Sequence, residues 1–112
     1  MDFMALLRFA VENDASDIHI QAGLPPCLRM GGVLRSTSEP PLTDEAVRNF
    51  IASIAPARFK DNIDDRMAAG MDFSYALPGL TRFRCSAYRH LGNAGMSMRT
   101  IKNRYIASAT LW

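Results

Sequence analysis

Thr81-Arg82-Phe83-Arg84-Cys85-Ser86-Ala87-Tyr88 alternates without a slip. Successive side chains of an extended chain point to opposite faces, so Phe83, Cys85 and Ala87 share one face while Arg82, Arg84, Ser86 and Tyr88 share the other. One apolar and one polar face describe a half-buried strand. Working outward, Met71 to Leu77 and Gly95 to Ile101 read as neighbouring strands. The turn signal Pro78-Gly79 and the stretch Leu91-Gly92-Asn93-Ala94 join them, and an antiparallel meander is the simplest connection.

Upstream, Phe3, Leu6, Leu7, Ala10 and Val11 recur at the spacing that lines one face of a helix, predicting a helix over Asp2 to Asn13. Asp17 to Gln21 alternates again, with Ile18 and Ile20 on one side, and Gly23 with Pro25-Pro26 ends it. Cys27 to Met30 and Val33 to Ser36 flank Gly31-Gly32, a pair that tolerates the positive φ angles of a two-residue hairpin turn. Thr43 is a suitable N-cap, Asp44 and Glu45 suit the positive end of a helix dipole, and Val47, Phe50, Ile51 and Ile54 form a buried stripe. Pro56 interrupts that helix and opens a short turn to about Asn62 that carries Phe59 inward. No element is assigned between Asn62 and Met71. Helix, strands, helices, strands without strict βαβ alternation argues for an α+β domain, with helices packed on a largely antiparallel sheet.

The chain has 112 residues, 48% hydrophobic and 21% charged, the size and balance of one globular domain. A net charge of +2 is too small to point to nucleic acid or a membrane surface. Only Lys60 and Lys102 among the 13 basic residues are lysines, so planar arginine forks suited to carboxylate or phosphate dominate. Cys27 and Cys85 form neither a CxxC pair nor a disulfide framework, and reduced cytosolic thiols are expected. No basic region followed by an apolar run opens the sequence, and no apolar run reaches the ~18 residues of a membrane span.

Standard catalytic signatures are missing. No Gly-Lys-Ser or Gly-Lys-Thr occurs, so this chain alone has no Walker A phosphate cradle, and no catalytic residue is assigned. Nor does it contain a GxSxG elbow, an HExxH pair or a His/Cys cluster with metal spacing. Asp17 and His19 share a strand face and in principle make an acid/base pair, but the structural reading is preferred, in which Asp17 ties down the turn that leaves the first helix and a strand histidine hydrogen-bonds structurally. Arg82 and Arg84 lie about 7 Å apart on one face, close enough for both forks to reach one anion such as a triphosphate. A solvated face or salt bridges explain the same spacing. Arg99, with Ser97 and Ile101 on its side of the last strand, can join that basic surface. The methionines after the first helix read as adaptable core filler.

Taken together, Leu6-Leu7, Ala15-Ser16-Asp17-Ile18-His19-Ile20, Ala22-Gly23-Leu24-Pro25-Pro26, Leu28-Arg29, Gly32, Leu34, Asp72-Phe73-Ser74-Tyr75, Arg82-Phe83-Arg84 and Arg99-Thr100-Ile101 resemble the amino-terminal domain of the pilus-retraction (PilT-type) ATPases and their relatives among type II and type IV secretion ATPases. The resemblance covers residues 1–101. It implies a PAS-like domain with a six-stranded sheet flanked by helices, and residues 102–112 as the start of an interdomain linker or a tail. In the family this domain joins a RecA-like ATPase domain and packs on that of the neighbouring subunit. Six chains form a ring that drives pilus retraction and twitching motility.

The resemblance further implies a cytoplasmic motor at the inner membrane that works against the pilus platform protein and uses ATP and Mg2+ in the parent protein. No cofactor is expected to bind this chain tightly. Arg82 and Arg84 match the family's Arg-Phe-Arg positions and Arg99 its Arg-x-Ile strand, which implies that all three face the phosphates of the nucleotide in the assembled ring. Two positions depart from the pattern: Gly31 precedes Gly32 where the family has an acidic or polar residue, and Lys102 stands where a proline commonly begins the linker. A free-standing PAS-like sensor for a small ligand is the alternative, distinguished by an apolar pocket in place of a solid core with an arginine-lined outer face.

Overall fold

The computed structural model describes residues 2–101. In chain order the elements are α1 (Phe3–Glu12), β1 (Asp17–Gln21), β2 (Cys27–Met30), β3 (Val33–Ser36), α2 (Asp44–Ile54), α3 (Ala57–Lys60), α4 (Ile63–Ala69), β4 (Met71–Leu77), β5 (Thr81–His90) and β6 (Asn93–Ile101). The six strands form one sheet in the order β3-β2-β1-β6-β5-β4. All five pairings are antiparallel. The fold is α+β, as the sequence predicts; Lys102 and the expected linker lie outside the described residues.

Local chemistry sets the helix ends. The Asp2 carboxylate accepts the Ala5 N–H at 3.1 Å and so satisfies one of the donors left open at the start of α1. At the other end Asn13 closes on the Phe9 carbonyl with its backbone N–H and its side-chain amide. Thr43 Oγ1 accepts the Ala46 N–H at 3.1 Å to open α2. The helices turn Leu6, Leu7, Ala10, Val47, Phe50, Ile51 and Ile54 into the core, and the Phe3 ring stacks on Phe50 at 4.3 Å.

Two local readings need correction. Residues 63–69, left unassigned in the sequence, form α4, which packs on β5 and β4 and buries Met67. Its signal is faint because Asn62 makes no side-chain cap and the apolar stripe reduces to Ile63 and Met67; tertiary packing supplies what seven residues cannot supply alone. β6 begins at Asn93 and not at Gly95, since Leu91 and Gly92 alone make the turn, with φ of 52° and 82°. Two successive positive φ values are what a tight primed hairpin turn requires, so Asn93 and Ala94 are free to pair with His90 and Arg89.

Among the described residues, the helices cover one face of the sheet only. Ile18, Ile20, Leu28, Phe83, Ala87, Met96 and Met98 point toward the helices with at most 1% of their surface exposed. Met96 and Met98 serve as the filler the composition suggested. The opposite face is polar and open.

Candidate functional site: an arginine face on the open side of the sheet

Strand register fixes which polar side chains become neighbours. One row across the sheet reads Arg29 (β2), Asp17 (β1), Arg99 (β6), Arg84 (β5) and Ser74 (β4), each the Cα partner of the next. The adjacent row reads Cys27, His19, Ser97, Ser86 and Asp72. The two rows frame a shallow depression of about 560 Å³, with Asp17, His19, Asp72, Ser74, Arg84, Ser86, Ser97 and Arg99 on its walls. One step further, Tyr88 lies across Gly95, where an added Cβ would stand 2.6 Å from the ring.

Arg84 and Arg99 are therefore direct cross-strand partners, with Cβ atoms about 4.5–5.5 Å apart by sheet geometry. Like charges placed so repel unless an anion lies between or beside them. Arg84 makes no hydrogen bond or ion pair among the described residues. Arg99 donates from Nε to Asp17 Oδ1 at 3.3 Å, yet 76% of its side chain remains exposed.

Arg82 lies on the same exposed face but one register step out, opposite Ile101 and Ala76, where it borders the β4–β5 turn and not the depression. The three arginines named from sequence thus divide into a facing pair and an outlier. The alternation of β5 gave the shared face of Arg82 and Arg84; the closeness of Arg84 to Arg99 depends on β5–β6 register. Ser74, Ser86 and Ser97, which line the same depression, were missed as site residues for that reason.

Asp17 anchors the centre of the row. Its Oδ2 accepts the Ser16 hydroxyl at 2.8 Å and lies 3.8 Å from Arg29 Nε, while Oδ1 takes Arg99. Burial alone would raise its pKa, but the Ser16 hydroxyl and the Arg99 guanidinium outweigh it and hold the carboxyl below its ordinary range. His19 sits opposite Ser97 and Cys27 and makes no hydrogen bond to Asp17 among the described residues. The acid/base pair considered from sequence is not assembled, since Asp17 spends both oxygens on Ser16 and the arginines.

The chemistry of this face is that of an anion cradle. Guanidinium forks and serine hydroxyls supply donors matched to phosphate oxygens, and the central carboxylate is already engaged. A second concavity of about 540 Å³ lies between α1 and the β2–β3 hairpin and is lined by Leu6, Phe9, Leu28 and Met30. It opens at the edge of the seam between α1 and the sheet, with the core residues Leu6 and Leu28 in its lining.

No family model matches the chain. Among curated proteins, the type IV pilus retraction ATPase PilT of Pseudomonas aeruginosa is 34% identical over 111 residues, which is 99% of this chain and 32% of the relative. The type IV pilus ATPase PilU of the same organism is 29% identical over 102 residues, covering 91% of this chain and 26% of its own length. The chain thus spans about a third or less of the curated relatives it matches. Among solved structures, the pilus retraction motor PilT with bound ADP shares the fold at a TM-score of 0.79 and 23% identity, over 92% of this chain and 30% of that one. The Legionella pneumophila ATPase DotB superposes at a TM-score of 0.74 with 27% identity, over 89% of this chain and 28% of its own. In sequence and in fold, this chain is an amino-terminal domain of the PilT type.

Proposed function

We propose that the domain serves a type IV pilus retraction motor, in which Arg84 and Arg99, with Arg82 beside them, bring positive charge to a nucleotide held by an ATPase domain outside this chain. The observation that carries the reading is the facing pair Arg84–Arg99 on the open sheet face, where Arg84 has no partner among the described residues. The likeness to PilT and PilU supports the motor, and it does not favour the small-ligand sensor.

The parent protein would be a cytoplasmic ring, hexameric by family resemblance, acting at the inner-membrane platform in twitching motility. ATP with Mg2+ would supply the phosphoryl group whose transfer drives the motor. The residues of this chain would bind and orient phosphate oxygens: two forks fixed on neighbouring strands approach from one side, and the serine hydroxyls fill in between. Donors placed where negative charge accumulates accelerate transfer.

The test is ATPase rate per assembled ring in a full-length motor that carries this domain. Arg84→Ala and Arg99→Ala should lower turnover far more than assembly, on the order of a thousandfold for an arginine that stabilises transferring phosphate. Lysine at either position should restore only part, because a point charge does not reproduce a bidentate fork. Arg82→Ala, at the rim, should cost less. Unchanged turnover in intact rings of both alanine variants would return the pair to the role of a solvated face.

A further inference from the structure

We infer that Asp17 is the positioning residue of the arginine face, holding Arg99 by its Nε edge so that the end of the fork stands beside Arg84. The inference rests on the phosphate reading above and adds to it a carboxylate that touches no ligand. Four observations carry it.

Asp17 is itself immobilised: its side chain is 16% exposed, Oδ2 is occupied by the Ser16 hydroxyl, and Arg29 approaches from the far side. Arg29 is in turn tied by its Nη1 to the Gly32 carbonyl at 3.2 Å, so the carboxylate is braced across β2 and β1. The contact to Arg99 uses one donor, Nε, of the five that a guanidinium carries. The side chain remains 76% exposed despite that bond, which leaves the terminal nitrogens in solvent on the open face.

Charge balance points the same way. Along the row the carboxylate is flanked by Arg29 and Arg99, with Arg84 beyond, and it offsets the repulsion that two facing arginines would otherwise feel. A purely competing carboxylate would cover the fork's end and bury it. Here it grips the side.

Two effects of removing Asp17 oppose each other. Loss of a negative charge would tighten anion binding, whereas loss of the grip frees a rotamer-rich side chain that the anion must then order. If Asp17 positions, the second effect wins, and a side chain's worth of ordering corresponds to about a two- to tenfold loss of affinity.

The experiment is NMR of the arginine Nε–Hε groups in the 112-residue chain, free and titrated with inorganic tripolyphosphate. In the wild-type chain Arg99 Hε should show the high heteronuclear NOE of an ordered group, Arg82 and Arg84 low values, and tripolyphosphate should shift Arg84 and Arg99 together. Asp17→Ala should release Arg99 without altering Arg84, weaken tripolyphosphate about two- to tenfold, and add nothing when combined with Arg99→Ala. Asp17→Asn keeps the side chain's size and an acceptor oxygen, so it tests the charge-assisted grip should the alanine variant unfold, and it too should lower the Arg99 NOE. Unchanged Arg99 order in both variants, or tighter tripolyphosphate binding, would overturn the positioning role. Absence of any shift in the wild-type chain would instead overturn the phosphate reading, whatever Arg99 does.

Discussion

Phe83 and Arg82 are neighbours in sequence and opposites in environment, because the strand between them turns one to the helices and the other to solvent. Phe83→Ala should cost roughly 3–5 kcal/mol, the loss of a fully buried ring and the cavity it leaves, whereas Arg82→Ala should cost well under about 1 kcal/mol. Urea unfolding of both variants checks this; equal destabilisation would make Arg82 a structural residue. The two cysteines divide likewise. Cys85 lies on the buried face with 3% exposure, and burial pushes its thiol up to about 12, while Cys27 is only half-buried. Iodoacetamide at about pH 8 should modify Cys27 and spare Cys85 until the chain unfolds, since the thiolate is the reactive form. Rapid labelling of native Cys85 would contradict the packing of β5.

At the scale of elements, the β5–β6 hairpin and α2 are stitched together by one aspartate. Asp44 Oδ1 accepts the Ala94 N–H at 2.7 Å, Oδ2 pairs with Arg48 at 2.6 Å, and Arg48 continues to Asp64 of α4 and to the Gly92 carbonyl. The Ala94 N–H, and after it Arg48, holds the Asp44 carboxyl below its ordinary value of 3.8. A carboxyl whose folded pKa is depressed stabilises the fold above its unfolded pKa and gives that up as pH falls through the folded value. Stability should therefore decline below about pH 4, and Asp44→Asn should make that decline shallower; urea midpoints across that range, compared with wild type, measure it. An identical acid profile in the variant would remove Asp44 from the account. The turn itself invites a second change. Leu91 adopts φ of 52° with 90% of its surface exposed, a conformation that asparagine before glycine takes at lower cost. Leu91→Asn should raise stability by about 0.5–1 kcal/mol, read from the thermal midpoint; a lower midpoint would show that Leu91 packs on something in the native state.

For the whole molecule, the missing Walker A loop and the open arginine face lead to the same expectation. The isolated chain should hydrolyse no ATP and bind it no tighter than roughly millimolar, about 4 kcal/mol, which calorimetry measures. Micromolar binding would place a complete nucleotide site within these residues. The chain should also be a monomer or weak dimer in light scattering, because in the proposed motor the ring contact is made between unlike domains and loses half of its surface when one domain is alone. A stable hexamer would locate the ring contacts here instead.

The sequence by itself determined the elements with strong periodicity or firm punctuation: α1, α2, the Gly31-Gly32 hairpin, and the faces of β1 and β5, including which side Arg82 and Arg84 would take. Those follow from side-chain direction along a single strand or helix, a property each segment carries locally. It also carried the family, through strings kept in order over residues 1–101. Helix α4 and the true start of β6 needed the tertiary structure, the first because its stripe of two apolar residues becomes decisive only against β5, the second because Leu91 had to accept a positive φ. The site needed it most. Asp17, Arg84 and Arg99 come from three strands, and only long-range register, which no local pattern encodes, sets the carboxylate beside Arg99 and leaves Arg84 facing that arginine with no partner of its own among the described residues.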